Sequence, residues 1–464
     1  MYLQSAVMVP HPPLIIPQIG GGQKKVIQDT TNAYRKAVKL IASKKPDTVI
    51  VISPHSTMYA DYIHISPGSV AKGSFAQYHA CDVRLEAAYD AQFVAALCNQ
   101  AKAAGFPAGT MGEQVKKLDH ASMVPLFFLR EAYGGELPVK IVRIGLSDLP
   151  YTDHYQLGML IAKTAQQLKT SISVIASGDL SHRLKEDGPY GFSPEGPAYD
   201  EKIMDAMGRA AFLDLLRFDP DFCEIAGECG HRSFVMMAGC FDGFAVQAER
   251  LSYQGPFGVG YGVCTFLPTS EDSSRCFLAA YLEEQSLARD HAKQAEDAYV
   301  RLARQSLESY IFQGKPMKMP ASLPDEMTRK RAGVFVSLKK HGKLRGCIGT
   351  ISAATQSIAQ EIMNNAVSAG TQDPRFDHVL ANELDELVYS VDVLGGIEDI
   401  ASTNELDTNR YGVIVSSGYK RGLLLPNLPG IHTVTQQIEI AKQKAGIDEN
   451  EQVTLQRFEV VRHF

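Results

Sequence analysis

Five short segments concentrate the residue types that bind metals or move protons. They are Val9-Pro10-His11-Pro12-Pro13, Ser53-Pro54-His55-Ser56, Leu118-Asp119-His120-Ala121, Ser177-Gly178-Asp179-Leu180-Ser181-His182 and Gly227-Glu228-Cys229-Gly230-His231. A neutral imidazole offers a ring nitrogen to a transition metal, and near neutral pH it can also hold or release a proton. Two histidines and one carboxylate suit a six-coordinate ferrous ion, because they hold one face and leave the other positions open. His11, His55 and Glu228 make such a set. Cys229 is the alternative third ligand, and its thiolate would favour a softer ion such as zinc or copper. His182 follows Asp179 and is placed to exchange a proton. His120 can orient a substrate oxygen or stabilise developing negative charge, while Asp119 fixes its ring or caps a helix that begins there.

These side chains need rigid supports. His11 and His55 each follow a proline, which stiffens the chain around the imidazole. Thr48–Ile52 reads as a short β-branched strand ending just before His55, and Ser171–Ala176 as another ending before Asp179 and His182. Between and after them, helices are expected over 23–44, 87–104, 153–168 and 199–216, with further strands over 139–144, 245–251 and 258–266. Strands separated by long helices argue for an α/β sheet with helices on its faces. Such a sheet puts its ligand site beyond the carboxyl ends of its strands, where His55 and His182 fall.

The 464 residues make two domains the default. The first is expected to span 1–267, with 268–277 as a linker around Pro268–Ser274 and a second, α+β domain over 278–464 that includes a leading helix to Ile311. A formal net charge of −6 argues against a nucleic-acid surface. No apolar run reaches membrane-spanning length, and the amino-terminal stretch lacks the basic region of a secretory signal. The 8 cysteines form no CxxC pair, so reduced thiols and a cytoplasmic location are expected.

Residues 1–266 resemble the class III (LigB-type) extradiol ring-cleavage dioxygenases and the related Memo-like proteins. The resemblance is carried by the segments around His11 and His55, by the run from Asp119, and by the run ending at His182. It implies Fe(II) held by His11, His55 and Glu228, with His182 as acid/base and His120 in the substrate pocket. The implied reaction inserts dioxygen into the ring of a catechol-like aromatic diol. Cys229 is similar to the metal-binding cysteine of Memo-like proteins, which implies instead a metal-binding accessory or adaptor role without ring cleavage.

The remainder resembles the AMMECR1 domain through Gly333–Leu338, Leu344-Arg345-Gly346-Cys347-Ile348-Gly349, Asp373-Pro374-Arg375-Phe376 and Gly422–Pro426. Fusion of the two is similar to the AmmeMemoRadiSam arrangement, which implies a radical SAM protein as partner. Arg345, Cys347, Asp373 and Arg375 are the candidate residues of this second part. Cys347 reads either as a reactive thiol beside a cation or as a small side chain buried between glycines. The charged three either form a binding surface or pair internally.

Overall fold

Thr48–Ile52 reads Thr-Val-Ile-Val-Ile, and every residue of it is buried in the computed structural model. A strand of that kind is covered on both faces. It lies inside a six-stranded sheet whose spatial order is Lys140–Ile144, Thr48–Ile52, Ile172–Ser177, Leu3–Val9, Tyr261–Glu271 and Phe244–Gln254. The first four strands are parallel to one another. Tyr261–Glu271 runs antiparallel to Leu3–Val9, and Phe244–Gln254 antiparallel to Tyr261–Glu271. Side chains alternate between two cores: Met8, Ile50 and Ile52 enter one, Val7, Val9, Val49 and Val51 the other. The expected α/β architecture is therefore present. Its parallel strands release the chain on one edge, at Pro10, Ser53, Gly145 and Gly178, and the segments that carry His11, His55 and His182 begin there.

The structure describes residues 2–112, 115–340, 342–428 and 430–464. The chain divides into two compact units, the first ending at Glu284 and the second starting at Gln285. The expected linker over 268–277 is not a loop. Residues 268–271 complete the strand Tyr261–Glu271, Ser273–Arg275 form a 3-10 turn, and the helix Phe277–Ala295 starts two residues later. Polar residues extend an edge ladder as readily as they form a linker. The division falls within that helix instead.

Two expected helices are broken. The one over 199–216 becomes Glu195–Gly208 and Phe212–Leu216, separated at Ala210 with φ +51°. The leading helix of the second part stops at Ala295, and Asp297 caps a new helix, Ala298–Gln313, by accepting from the Tyr299 and Val300 amides. The helix expected over 87–104 forms as Ala91–Ala103, and Ala87 and Ala88 instead end the strand Ala80–Ala88, paired with Val70–Phe75.

The second unit is a curled antiparallel sheet, a half-barrel, in the order Lys343–Gly349, Val334–Lys340, Leu387–Ile400, Thr454–His463, Tyr411–Ser417 and Lys420–Leu424. Val334, Val336 and Leu338 pack beneath Ala298–Gln313 and Ile358–Thr371. Val413, Val415 and Leu424 pack beneath Val434–Ala445.

Candidate metal centre

His11 leaves the strand Leu3–Val9 and is 2% exposed. Its backbone N–H donates to Asp179 Oδ1 at 2.8 Å, tying the ends of two neighbouring strands together. Its Nδ1 lies 3.1 Å from Ser177 Oγ. That hydroxyl spends its own proton on the Ala121 carbonyl at 2.7 Å, so it must accept from His11 Nδ1–H. The tautomer follows: Nε2 carries the lone pair. This is the arrangement by which an outer hydrogen bond orients a metal-ligating imidazole.

His11 Nε2 faces His55 Nε2 at 3.2 Å. His120, the first residue of the helix His120–Ala132, completes the group. Its ring stacks on His55 with centroids 4.5 Å apart and lies 5.3 Å from the His11 ring. Donor atoms of His11, His55 and His120 all fall within 4.8 Å of one another, among the described residues. Burial lowers the pKa of all three: His11 well below its usual value, His55 below it against the opposing pull of Asp119, and His120 down to about 4. Neutral rings keep their lone pairs available.

Asp119 caps the helix that starts at His120, accepting from Ser122 N at 2.8 Å. The same carboxylate accepts from Ser53 Oγ at 2.6 Å. Arg143, 1% exposed, brings its Nη1 to 3.8 Å from Asp119 Oδ2. These neighbours were not singled out in the sequence. One signal existed for Arg143: a guanidinium inside the otherwise apolar Ile141–Ile144 run requires buried partners.

Glu228 and Cys229 part company. The Glu228 carboxylate accepts from the His231 amide at 2.5 Å, at the start of the helix His231–Gly239. Burial raises it to about 7, against hydrogen bonds from the His231 and Gly230 amides and the Tyr199 hydroxyl. Cys229 Sγ instead lies 3.6 Å from His11 Nε2. Burial and the nearby Asp179 and Glu228 carboxylates push its thiol well above the usual range, so without a cation it keeps its proton.

His182 borders the group. Its backbone N–H reaches Gly227 O at 3.2 Å, and its ring packs 5.1 Å from that of Tyr190. Its Nε2 is buried without a hydrogen-bond partner. Burial and the His55 ring hold its pKa down at about 4.

Bond lengths of about 2.1 Å to nitrogen and about 2.3 Å to sulfur put neighbouring donors roughly 3.0–3.6 Å apart around one ion. The separations of 3.2 Å from His11 to His55 and 3.6 Å from His11 to Cys229 lie in that range. Neutral imidazoles, an oriented Nε2 and a buried thiol fit a transition metal.

In the second unit the candidate residues are mutually satisfied. Arg345 forks onto Glu383, with 2.9 Å from Nη2 to Oε2, and donates to the Asp377 carbonyl at 2.8 Å. Asp373 accepts from the Cys347 amide at 2.9 Å and from Arg375, whose Nη2 also reaches the Cys347 carbonyl at 3.1 Å. The Asp373–Arg375 pair thus completes the free edge of the strand Lys343–Gly349. The half-buried Cys347 thiol accepts from Ser337 Oγ at 3.3 Å.

Residues 5–264 match the family described as the catalytic LigB subunit of aromatic ring-opening dioxygenase. The chain belongs to the LigB family. Residues 300–463 of this LigB-family chain match AMMECR1, so it has the AmmeMemoRadiSam-type fusion order. It is 40% identical to Protein CA_C1420 of Clostridium acetobutylicum, covering 100% of this chain and 99% of that one. A protein of Thermotoga maritima is 46% identical over 36% of this chain and 98% of its own length. The solved structure of the uncharacterized protein JW3007 from Escherichia coli K12 matches 57% of this LigB-family chain and 99% of its own, with 14% identity and a TM-score of 0.37. No helix among the described residues is long and apolar enough to cross a membrane.

Proposed function

We propose that the LigB-type unit is a transition-metal-binding accessory module in which His11, His55 and His120, whose donor atoms lie within 4.8 Å of one another, hold the ion and Cys229 approaches it from beside His11. The observation that carries this reading is the 3.6 Å approach of Cys229 Sγ to His11 Nε2. Glu228 is committed to the amide at the start of the following helix. A set that includes a thiolate favours zinc or copper over ferrous iron. A bound cation supplies Lewis acidity and takes the place of the thiol proton. The chain's own contributions are orientation and exclusion of water: Ser177 sets the His11 tautomer, and Asp179 ties down the His11 backbone. The fusion order supports a radical SAM protein as pathway partner.

A second reading, extradiol cleavage of a catechol-like diol with Fe(II) and dioxygen, is favoured by one feature. His182 presents a buried Nε2 with no partner beside the cluster, suited to hold or give a proton.

One experiment separates the two. The full chain is loaded with Co(II) or Fe(II), and absorption spectra and oxygen uptake across a catechol panel are recorded for wild type, Cys229→Ser and His182→Ala. A sulfur-to-cobalt charge-transfer band, lost in Cys229→Ser, with no oxygen uptake is the expected result. Absence of that band, with diol-dependent uptake abolished by His182→Ala, would overturn the accessory reading in favour of ring cleavage.

A further inference from the structure

His55 and His120 come from unrelated places. His55 ends a turn after the strand Thr48–Ile52, and His120 opens a helix some distance along the chain. Rings stacked at 4.5 Å need something to hold these two segments in register. One carboxylate touches both. Asp119 Oδ1 accepts from Ser53 Oγ at 2.6 Å and from the Ser122 amide at 2.8 Å. Its Oδ2 accepts from Ser122 Oγ at 2.9 Å. Ser53 acts as a relay, because while its proton goes to Asp119 its Oγ accepts from the His55 backbone N–H at 3.3 Å. The chain of contacts therefore runs from the helix start, through Asp119 and Ser53, to the His55 turn.

Behind it stands Arg143. Its guanidinium donates to the Lys117 carbonyl at 2.7 Å and the Val115 carbonyl at 3.2 Å, the backbone that leads into Asp119. A third arm reaches Ser66 Oγ at 2.7 Å. Burying a charge inside a strand carries a desolvation penalty that an apolar residue would avoid. A helix cap alone does not call for it, since capping needs only the Ser122 amide.

We propose that Asp119, tied to Ser53 and braced by Arg143, is a positioning clamp that sets the spacing of His55 and His120 for a bound transition metal. The clamp rests on the metal-centre reading. It predicts that removing the Ser53 hydroxyl, which leaves the Asp119–Ser122 cap bond and every donor nitrogen in place, loosens the metal site while leaving the fold in place.

The test uses the full-length chain and Co(II) alone as probe. Affinity is measured by chelator competition, coordination by the visible d–d spectrum, and folding by the melting temperature of the metal-free protein. For Ser53→Ala the expected result is a loss of Co(II) affinity of about tenfold to a hundredfold, the usual range for outer contacts to metal ligands. The d–d spectrum shifts, and the metal-free melting temperature stays near wild type. Asp119→Asn keeps an acceptor for Ser53 and Ser122 but loses the charge facing Arg143, and a smaller loss of affinity is expected. Wild-type affinity and spectrum in Ser53→Ala overturn the clamp. If that variant fails to fold, unchanged affinity and spectrum in Asp119→Asn overturn it instead. A wild-type chain that takes up no Co(II) overturns the metal-centre reading and the clamp with it, whereas tight wild-type binding matched by the variants overturns the clamp alone.

Discussion

At Asp373 and Arg375 the charged arms are answered inside the second unit, by each other and by the amide and carbonyl of Cys347. At His11 and His55 in the first unit the two Nε2 atoms face one another across 3.2 Å, and the buried Nε2 of His182 has no hydrogen-bond partner. Both groups lie at strand ends or edges, and both carry the residue types that chemistry uses. The difference is whether folding has already used their hydrogen-bonding capacity. Buried polar groups are normally satisfied, so a cluster left short of partners points to a ligand the chain is built to receive. A cluster that closes on itself points to architecture. On this ground the first unit carries the proposed chemistry, while the second unit's sequence signatures serve first to finish a sheet edge.

Metal addition gives the widest predicted contrast between the units. A ligand at a hundredfold excess over its Kd stabilises the state that binds it by about 2.7 kcal/mol, a factor of about one hundred. Amide hydrogen exchange on the full chain is the measurement. Strands Thr48–Ile52 and Ile172–Ser177 are expected to exchange up to about a hundredfold more slowly with saturating metal, while Lys343–Gly349 stays unchanged. Equal protection of Lys343–Gly349 would break the comparison, because the second unit would then respond to the same ligand.

Next in size is Asp373→Ala. The side chain is 2% exposed and serves both the Cys347 amide and Arg375. Its removal leaves the strand-edge Cys347 N–H without its acceptor, at an expected cost of about 2 kcal/mol. A urea titration followed by hydrogen exchange in the second unit checks this. Metal content per chain is expected to stay at the wild-type value. A stable variant that bound less metal would mean that Asp373 belongs to function rather than to the sheet edge.

The sequence revealed the two kinds of cluster unequally. His11 and His55 were legible because a proline precedes each and a predicted strand leads into His55. His120 was legible as a functional residue, but its placement beside the other two depends on a helix start crossing strand ends, which local pattern does not encode. Glu228 and Cys229 are adjacent in the chain, and only the start of the helix His231–Gly239 decides which of them turns toward His11. The internal pairing of Asp373, Arg375 and Arg345 could not be separated from a binding surface, since the same charges serve either use. In the fold, buried runs such as Thr48–Ile52 stood out. Thr454–His463 did not: it alternates charged and apolar residues, and Phe458 is its one buried position.

The smallest predicted effect concerns pH and Arg345. Its guanidinium, hydrogen-bonded to Glu383, holds that carboxyl down at about 2, with the Leu380 amide and Lys340 adding to the effect. A carboxylate whose folded pKa lies below its unfolded value of about 4.3 contributes stability that is fully present above pH 4.3. That contribution drains away as pH falls from about 4.3 toward 2. Arg345→Gln removes the main cause, so the variant should lose stability at pH 7 by about 1–2 kcal/mol. The gap between variant and wild type should then narrow across the acid window. Denaturant titrations at pH 7, 4 and 3 measure the gap directly. A gap of constant size would mean that Arg345 stabilises the unit through its bonds to the Asp377 and His378 carbonyls, which do not titrate. A gap that closes assigns the effect to Glu383, and with it the view that this cluster is spent on holding the second unit together.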